Sequence, residues 1–149
     1  MSSNLPEVEA ALKKYEVEFD RRIAAVASDV SFKLEQYAKE EIKGERPYTY
    51  PDGKKRGKKA DRIYEKATPG QPPMNRTGDL RRSIAPTMSR QGFQKYTAEV
   101  GAYTVYARRL ELGGGNWKPG TKFPYLLPAL KKFMGSGYLN YSLRKHFRG

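Results

Sequence analysis

Cysteine is absent from the 149 residues, which excludes disulfides and thiolate metal sites. There is one histidine, His146. A nucleophile–imidazole–carboxylate triad needs a histidine held between an acid and a nucleophile. His146 stands instead in a basic stretch beside Lys145 and Arg148. A zinc site would have too few imidazoles. Acidic residues thin out along the chain: after residue 66 only Asp79, Glu99 and Glu111 occur, so a carboxylate-held magnesium site would need all three to converge. Gly113-Gly114-Gly115 lacks the Gly-Lys-Ser/Thr ending of a phosphate loop and reads as a helix stop. Apolar residues make up 38% of the chain and the mean hydropathy is −0.83. No apolar run approaches the ~18 residues of a membrane span. The first residues lack a basic-then-apolar leader. The expectation is one soluble domain made in a reducing cytoplasm, with no catalytic residues, no metal and no cofactor.

What is abundant is positive charge: the net value is +13. Residues 1–42 carry six basic and nine acidic side chains, whereas residues 43–149 carry 23 basic and seven acidic. An acidic leader and a basic remainder suit head-to-tail contacts between copies, and equally a polyanion partner.

Residues 1–43 read as one long helix. Apolar side chains recur at Val8, Leu12, Tyr15, Phe19, Ile23, Val26, Val30, Leu34 and Tyr37, close to the 3.6-residue period. Asn4 is placed to cap the start, with Pro6 and Glu7 in the first turn, and Gly44 to end it. Such a helix is ~55 Å long, against a radius of gyration of roughly 15 Å for a compact chain of this size. Part of it is therefore expected to project or to pack on a neighbouring copy. Residues 44–76 are punctuated by Pro47, Pro51, Gly53, Gly57, Pro69 and Pro72-Pro73, and read as a long basic loop. Within it Lys54, Lys55, Arg56, Lys58 and Lys59 form a dense cationic run, a candidate contact for duplex phosphates or for an acidic protein surface; a merely solubilising loop is the alternative.

Residues 77–134 read as an α+β core. Thr77 is a candidate helix cap ahead of Leu80 and Ile84, with Pro86 as the stop. Strands are expected near Ala85–Ser89 and over 93–101, joined by a turn at Arg90-Gln91-Gly92. Val105–Leu112 has helical spacing, with either Val105, Arg109 and Leu112 or Tyr106 and Leu110 facing inward. An extended approach is expected at Lys122–Phe123, then a helix over Leu126–Met134 with Leu127, Leu130 and Met134 on one side. Gly135-Ser136-Gly137 reads as a hinge. The basic segment 135–149 places Leu139, Leu143 and Phe147 in line, opposite Arg144 and Lys145. Glu111 is expected to pair with Arg108, three residues back.

Four blocks stand in a fixed order: Asn75-Arg76-Thr77-Gly78-Asp79-Leu80-Arg81-Arg82-Ser83-Ile84; Ala98-Glu99-Val100-Gly101; Tyr106-Ala107-Arg108-Arg109-Leu110-Glu111-Leu112-Gly113; and Phe123-Pro124-Tyr125-Leu126-Leu127-Pro128-Ala129-Leu130. Over roughly half the chain they resemble the minor tail-component family of long-tailed bacteriophages, the tail-completion or head–tail joining proteins. The pattern of that family is met at Thr77, Gly78, Leu80, Ser83, Gly101, Tyr106, Ala107, Glu111, Gly113, Phe123, Pro128, Ala129 and Leu130. The basic insert before Arg76, the Gly113–Gly120 segment and the tail after Gly135 depart from it.

The resemblance implies an α+β fold: a long N-terminal helix, a small antiparallel sheet of about four strands, and short helices packed on one face. It implies no enzyme but a structural virion protein at the head–tail junction, forming a ring, with a hexamer favoured, around the DNA channel. Implied partners are connector or stopper rings and a tail terminator or tail tube, with genomic double-stranded DNA in the channel and no membrane. Candidate subunit contacts are Leu12, Tyr15 and Phe19 on the long helix, Glu111, and Arg81 and Arg82. The two arginines would face Glu7, Glu9, Glu16, Glu18 and Asp20 of the next copy. Other readings are a tail terminator or another neck ring, or a stand-alone basic nucleic-acid-binding module.

Overall fold

A computed structural model describes residues 4–42, 48–50, 63–64, 68–73 and 77–148. The expected leading helix is present as α1 (Leu5–Glu41). Asn4 occupies the cap position through its backbone, its carbonyl accepting the Val8 N–H, but its side chain makes no capping bond. The helix closes on the fully buried Ile42; Gly44 lies outside the described residues.

Two short strands, β1 (Tyr48–Thr49) and β2 (Ile63–Tyr64), pair antiparallel with each other. A one-turn helix, α2 (Asp79–Ser83), leads directly into β3 (Ile84–Gly92), which pairs antiparallel with β4 (Lys95–Ala102). Helices α3 (Ala107–Leu112), α4 (Leu126–Gly135) and α5 (Tyr138–Phe147) follow. The architecture is α+β with a long N-terminal helix, as expected, but the sheet is smaller. The described residues hold two separate two-stranded ladders where one sheet of about four strands was expected.

The hairpin turn also differs. It falls at Phe93-Gln94, with Gln94 at φ 57°, and not at Arg90-Gln91-Gly92; the ladder carries an irregularity between Arg90 and Gly92. Pro86 does not stop a helix but pairs opposite Val100 inside β3. Among the described residues β3 has one partner strand and so an open edge, the setting in which a strand tolerates proline.

Helix α1 is the spine. The β3–β4 hairpin packs along it, and so do α4 and α5. The core gathers at its C-terminal end, where Ala38 and Ile42 meet Leu80, Ile84, Ala107, Tyr125 and Ala129, with Tyr37, Val100, Ala102, Leu110 and Leu126 packed around them. Full burial of each large apolar side chain stabilises by ~1.5–3 kcal/mol. Leu80 and Ile84 are both buried, although Ile84 belongs to the strand.

Gly78 precedes α2 at φ +83°, and a Cβ there would lie 2.8 Å from the Arg82 guanidinium. The Thr77 hydroxyl accepts the Asp79 N–H at 3.3 Å from one residue ahead of the cap position.

Candidate functional site

Both layers that cover α1 stop at the same point. At the far end of the hairpin, the Asp20 carboxylate accepts bonds from the Gln94 N–H at 2.9 Å and the Tyr96 hydroxyl at 2.8 Å, with Arg90 at 3.6 Å. The Tyr96 hydroxyl, with Gln94 and Arg90, holds the Asp20 carboxyl below its usual range. On the other side, α5 ends with the Phe147 ring edge-on to Phe19 at 5.1 Å. Nine strand residues extend ~30 Å, about the ~33 Å of helix from Asp20 to Ile42. The covering elements are simply too short to reach further.

Beyond that point every residue from Asn4 to Val17 is exposed. Leu5, Val8, Leu12 and Tyr15 lie at steps of three and four on one face, and Leu12 and Tyr15 expose 56% and 67% of their surface. Of the three stripe residues expected at a subunit contact, Leu12 and Tyr15 are open, while Phe19 is half-buried under Phe147.

A groove of about 600 Å³ opens at the opposite end of the molecule. Leu34 and Ala38 of α1, Val100 of β4, Leu112 of α3, and Leu126, Leu127 and Leu130 of α4 form its apolar lining, with Glu99, Glu111 and Lys122 as charged members. The sequence places Leu127, Leu130 and Met134 on one side of α4, and they do share a side, but it is the outer one. All three are exposed, and the core takes Ala129 and Phe133, with Leu126 half-buried. Neither face offered for α3 packs inward whole: Leu110 does, but its companion Tyr106 is exposed, as are Leu112 and, just before the helix, Val105.

Glu111 has a different role from the expected pair with Arg108. Its carboxylate receives the backbone N–H groups of Tyr125 at 2.7 Å and of Leu126 and Leu127 at 2.9 Å, capping the start of α4. A carboxylate is the group best matched to the free N–H groups and positive dipole end of a helix. Gly113 sets this geometry: at φ +77° it ends α3, and a Cβ would lie 2.6 Å from the Thr121 carbonyl oxygen. Lys122 and Phe123, expected as an extended approach, belong to no helix or strand, and the Phe123 N–H donates to the Leu110 carbonyl. Beneath the cap sits Tyr125, its hydroxyl pKa pushed up to about 12 by burial and by Glu111 and Tyr106.

The lone histidine gains a carboxylate that its sequence neighbours do not provide. His146 Nε2 lies 2.8 Å from Asp29 Oδ2, and the Ser142 hydroxyl donates to the same oxygen at 3.1 Å, with Lys145 at 3.5 Å. Partial burial works against ionisation of Asp29, but the bonds from His146 and Ser142 and the Lys145 charge prevail, and its pKa is lowered. Serine and histidine both point at the acid, so the histidine does not stand between nucleophile and acid as base catalysis requires. The group fastens α5 to α1.

Arg82 is engaged within its own chain, with Asp79 at 2.6 Å and the Thr77 carbonyl at 3.3 Å. Arg81 is exposed and, among the described residues, makes no ion pair. Asp79, Glu99 and Glu111 do not form a shared site: Asp79 pairs with Arg82, Glu111 caps α4, and Glu99 stands on β4 at the groove. Among the described residues no group of three or more acids and histidines is placed to hold a metal ion, and no helix is long and apolar enough to cross a membrane. Lys54, Lys55, Arg56, Lys58 and Lys59 lie outside the described residues.

Sequence reasoning found the stripe on α1 but missed the groove. Its signal was the pairing of two apolar rows on α4: Leu126, Ala129 and Phe133 fill one row while Leu127, Leu130 and Met134 fill another. A helix apolar on two sides has two surfaces to cover. No family model matches the chain, and neither does any curated protein or solved structure.

Proposed function

We propose that this chain is a structural virion protein of a long-tailed bacteriophage. It acts at the head–tail junction as a tail-completion or head-to-tail joining protein and assembles as a ring, a hexamer favoured, around the DNA channel. The observation that carries the reading is the projecting third of α1, a prefolded helix with an exposed apolar stripe that no other described element covers. Soluble monomers rarely keep a contiguous apolar face of this kind in water. The four sequence blocks add the family to which such a helix would belong.

The mechanism is one of shape. Each copy presents the stripe to a neighbour, and closed cyclic symmetry covers every such surface. The chemistry of the chain needs no turnover: Glu111, Asp20 and Asp29, its best-positioned carboxylates, all hold elements together. Further exposed apolar side chains, Phe93, Tyr103, Val105 and Tyr106, offer contact to connector or stopper rings on one side and a tail terminator or tube on the other. The basic remainder, from residue 43 on, supplies positive charge for channel DNA or acidic partner surfaces.

The test is genetic and visual. In the phage that encodes it, deleting the gene should leave filled heads and complete tails unjoined, and the protein should be found in purified wild-type virions. Normal joining without it would reject the proposal. The +13 charge also favours a second reading, a stand-alone nucleic-acid-binding module. Tight, steeply salt-dependent duplex binding by a protein that stays monomeric would select that reading.

A further inference from the structure

We infer that the apolar groove between α1, β4, α3 and α4 is the socket for the projecting third of α1 from a second copy of this chain, seated head to tail. This rests on the reading of the chain as a self-assembling protein, and specifies which two surfaces meet.

The donor and the socket are matched in kind. The donor is a formed helix of ~20 Å, apolar along Leu5, Val8, Leu12 and Tyr15 and flanked by Glu7, Glu9 and Glu16. The socket is an apolar trough of about 600 Å³. Lys122 lines it and the exposed Lys131 follows Leu130 on α4. Of the two acids at the groove, Glu111 is taken up by the N–H groups at the start of α4, and Glu99 faces a donor that also carries Lys13 and Lys14. Across the chain the acidic excess lies in residues 1–42 and the basic excess beyond them, an asymmetry that favours head-to-tail approach of two copies.

The donor cannot fill its own socket. Leu34 and Ala38, which form one wall of the groove, belong to the same continuous helix as Leu12. Leu12 and Leu34 are thus ~33 Å apart along a rigid axis. Occupancy by α1 therefore requires another molecule. Because donor and socket are different surfaces, the contact is heterologous. It propagates from copy to copy and either closes into a ring or runs on as a filament. Two stripes packed on each other would give a closed dimer instead.

The chain has no cysteine, so introduced thiols are unambiguous reporters. Leu12→Cys and Leu130→Cys variants, both at exposed positions, are mixed and treated with a short bismaleimide. The expected product is a covalent dimer joining position 12 of one variant to position 130 of the other, identified by peptide mass spectrometry. The double variant should give a ladder of multimers. In parallel, Leu12→Asp and Leu130→Asp should each weaken self-association by roughly tenfold or more. Mixing these two should restore one contact per pair and give dimers, because one keeps an intact socket and the other an intact donor. If wild-type protein is oligomeric but the thiols join only position 12 to position 12, or do not join at all, the socket assignment falls while self-assembly stands. If wild-type protein is monomeric at every concentration, both fall.

Discussion

The two ends of α1 have the same period and opposite fates. From Phe19 to Ile42 the helix is sandwiched between the β3–β4 hairpin and the α4–α5 pair, and its most buried positions are Val26, Ser31, Ala38 and Ile42. From Asn4 to Val17 the same helix is bare, and its outward positions carry Leu, Val and Tyr. A hydrophobic period alone says that a face will be covered. What covers it is decided by the reach of the other elements, and here both layers run out at Phe19 and Asp20.

The comparison breaks most visibly at the core end. Ile42→Ala, at a fully buried site, should destabilise the protein by about 2–5 kcal/mol in urea unfolding of the dilute protein. Glu111→Ala uncaps α4 and strands three backbone N–H groups, and should cost about 1–3 kcal/mol by the same measurement. Gly113→Ala forces a side chain into a left-handed backbone against the Thr121 carbonyl, a cost of about 1–3 kcal/mol. At the bare end, Leu12→Ala should leave the stability of the dilute monomer within about 0.5 kcal/mol while weakening assembly. A large loss of monomer stability there would mean that the two halves of α1 are not different after all.

A pH series sharpens the contrast. Asp20, Asp29, Glu40 and Asp79 all have lowered pKa values. A carboxyl that is more acidic in the folded state stabilises fully above its unfolded value, ~4, and that contribution disappears as pH falls through its folded value. Stability should therefore decline below about pH 4, and Asp29→Asn should flatten part of that decline. An acid limb unchanged in the Asp29→Asn variant would remove the α1–α5 clasp from the account.

Local signals served well where local physics decides. Periodicity gives α4 to within one residue and the end of α1 to within two, while the start of α1 falls at Leu5 and not at residue 1. The hairpin strands were legible from alternation, but the turn was displaced because Gln94, and not a glycine, takes the positive φ. Pro86 misled because an open edge strand removes the penalty that makes proline a stop. The roles of Glu111 and His146 depend on partners 14–16 and 117 residues away in sequence, which no spacing rule reaches. The outward face of α4 was read as an apolar side without its direction, since two apolar rows compete for the core and only packing selects Ala129 and Phe133.

The most direct test of self-assembly through the bare end of α1 is the molar mass in solution, by light scattering, of wild-type protein and Leu12→Asp side by side. Wild type should approach a ring-sized multiple of 17.0 kDa as concentration rises, and the variant should remain near 17.0 kDa. A single 17.0 kDa species for both, or the same oligomer for both, would contradict it.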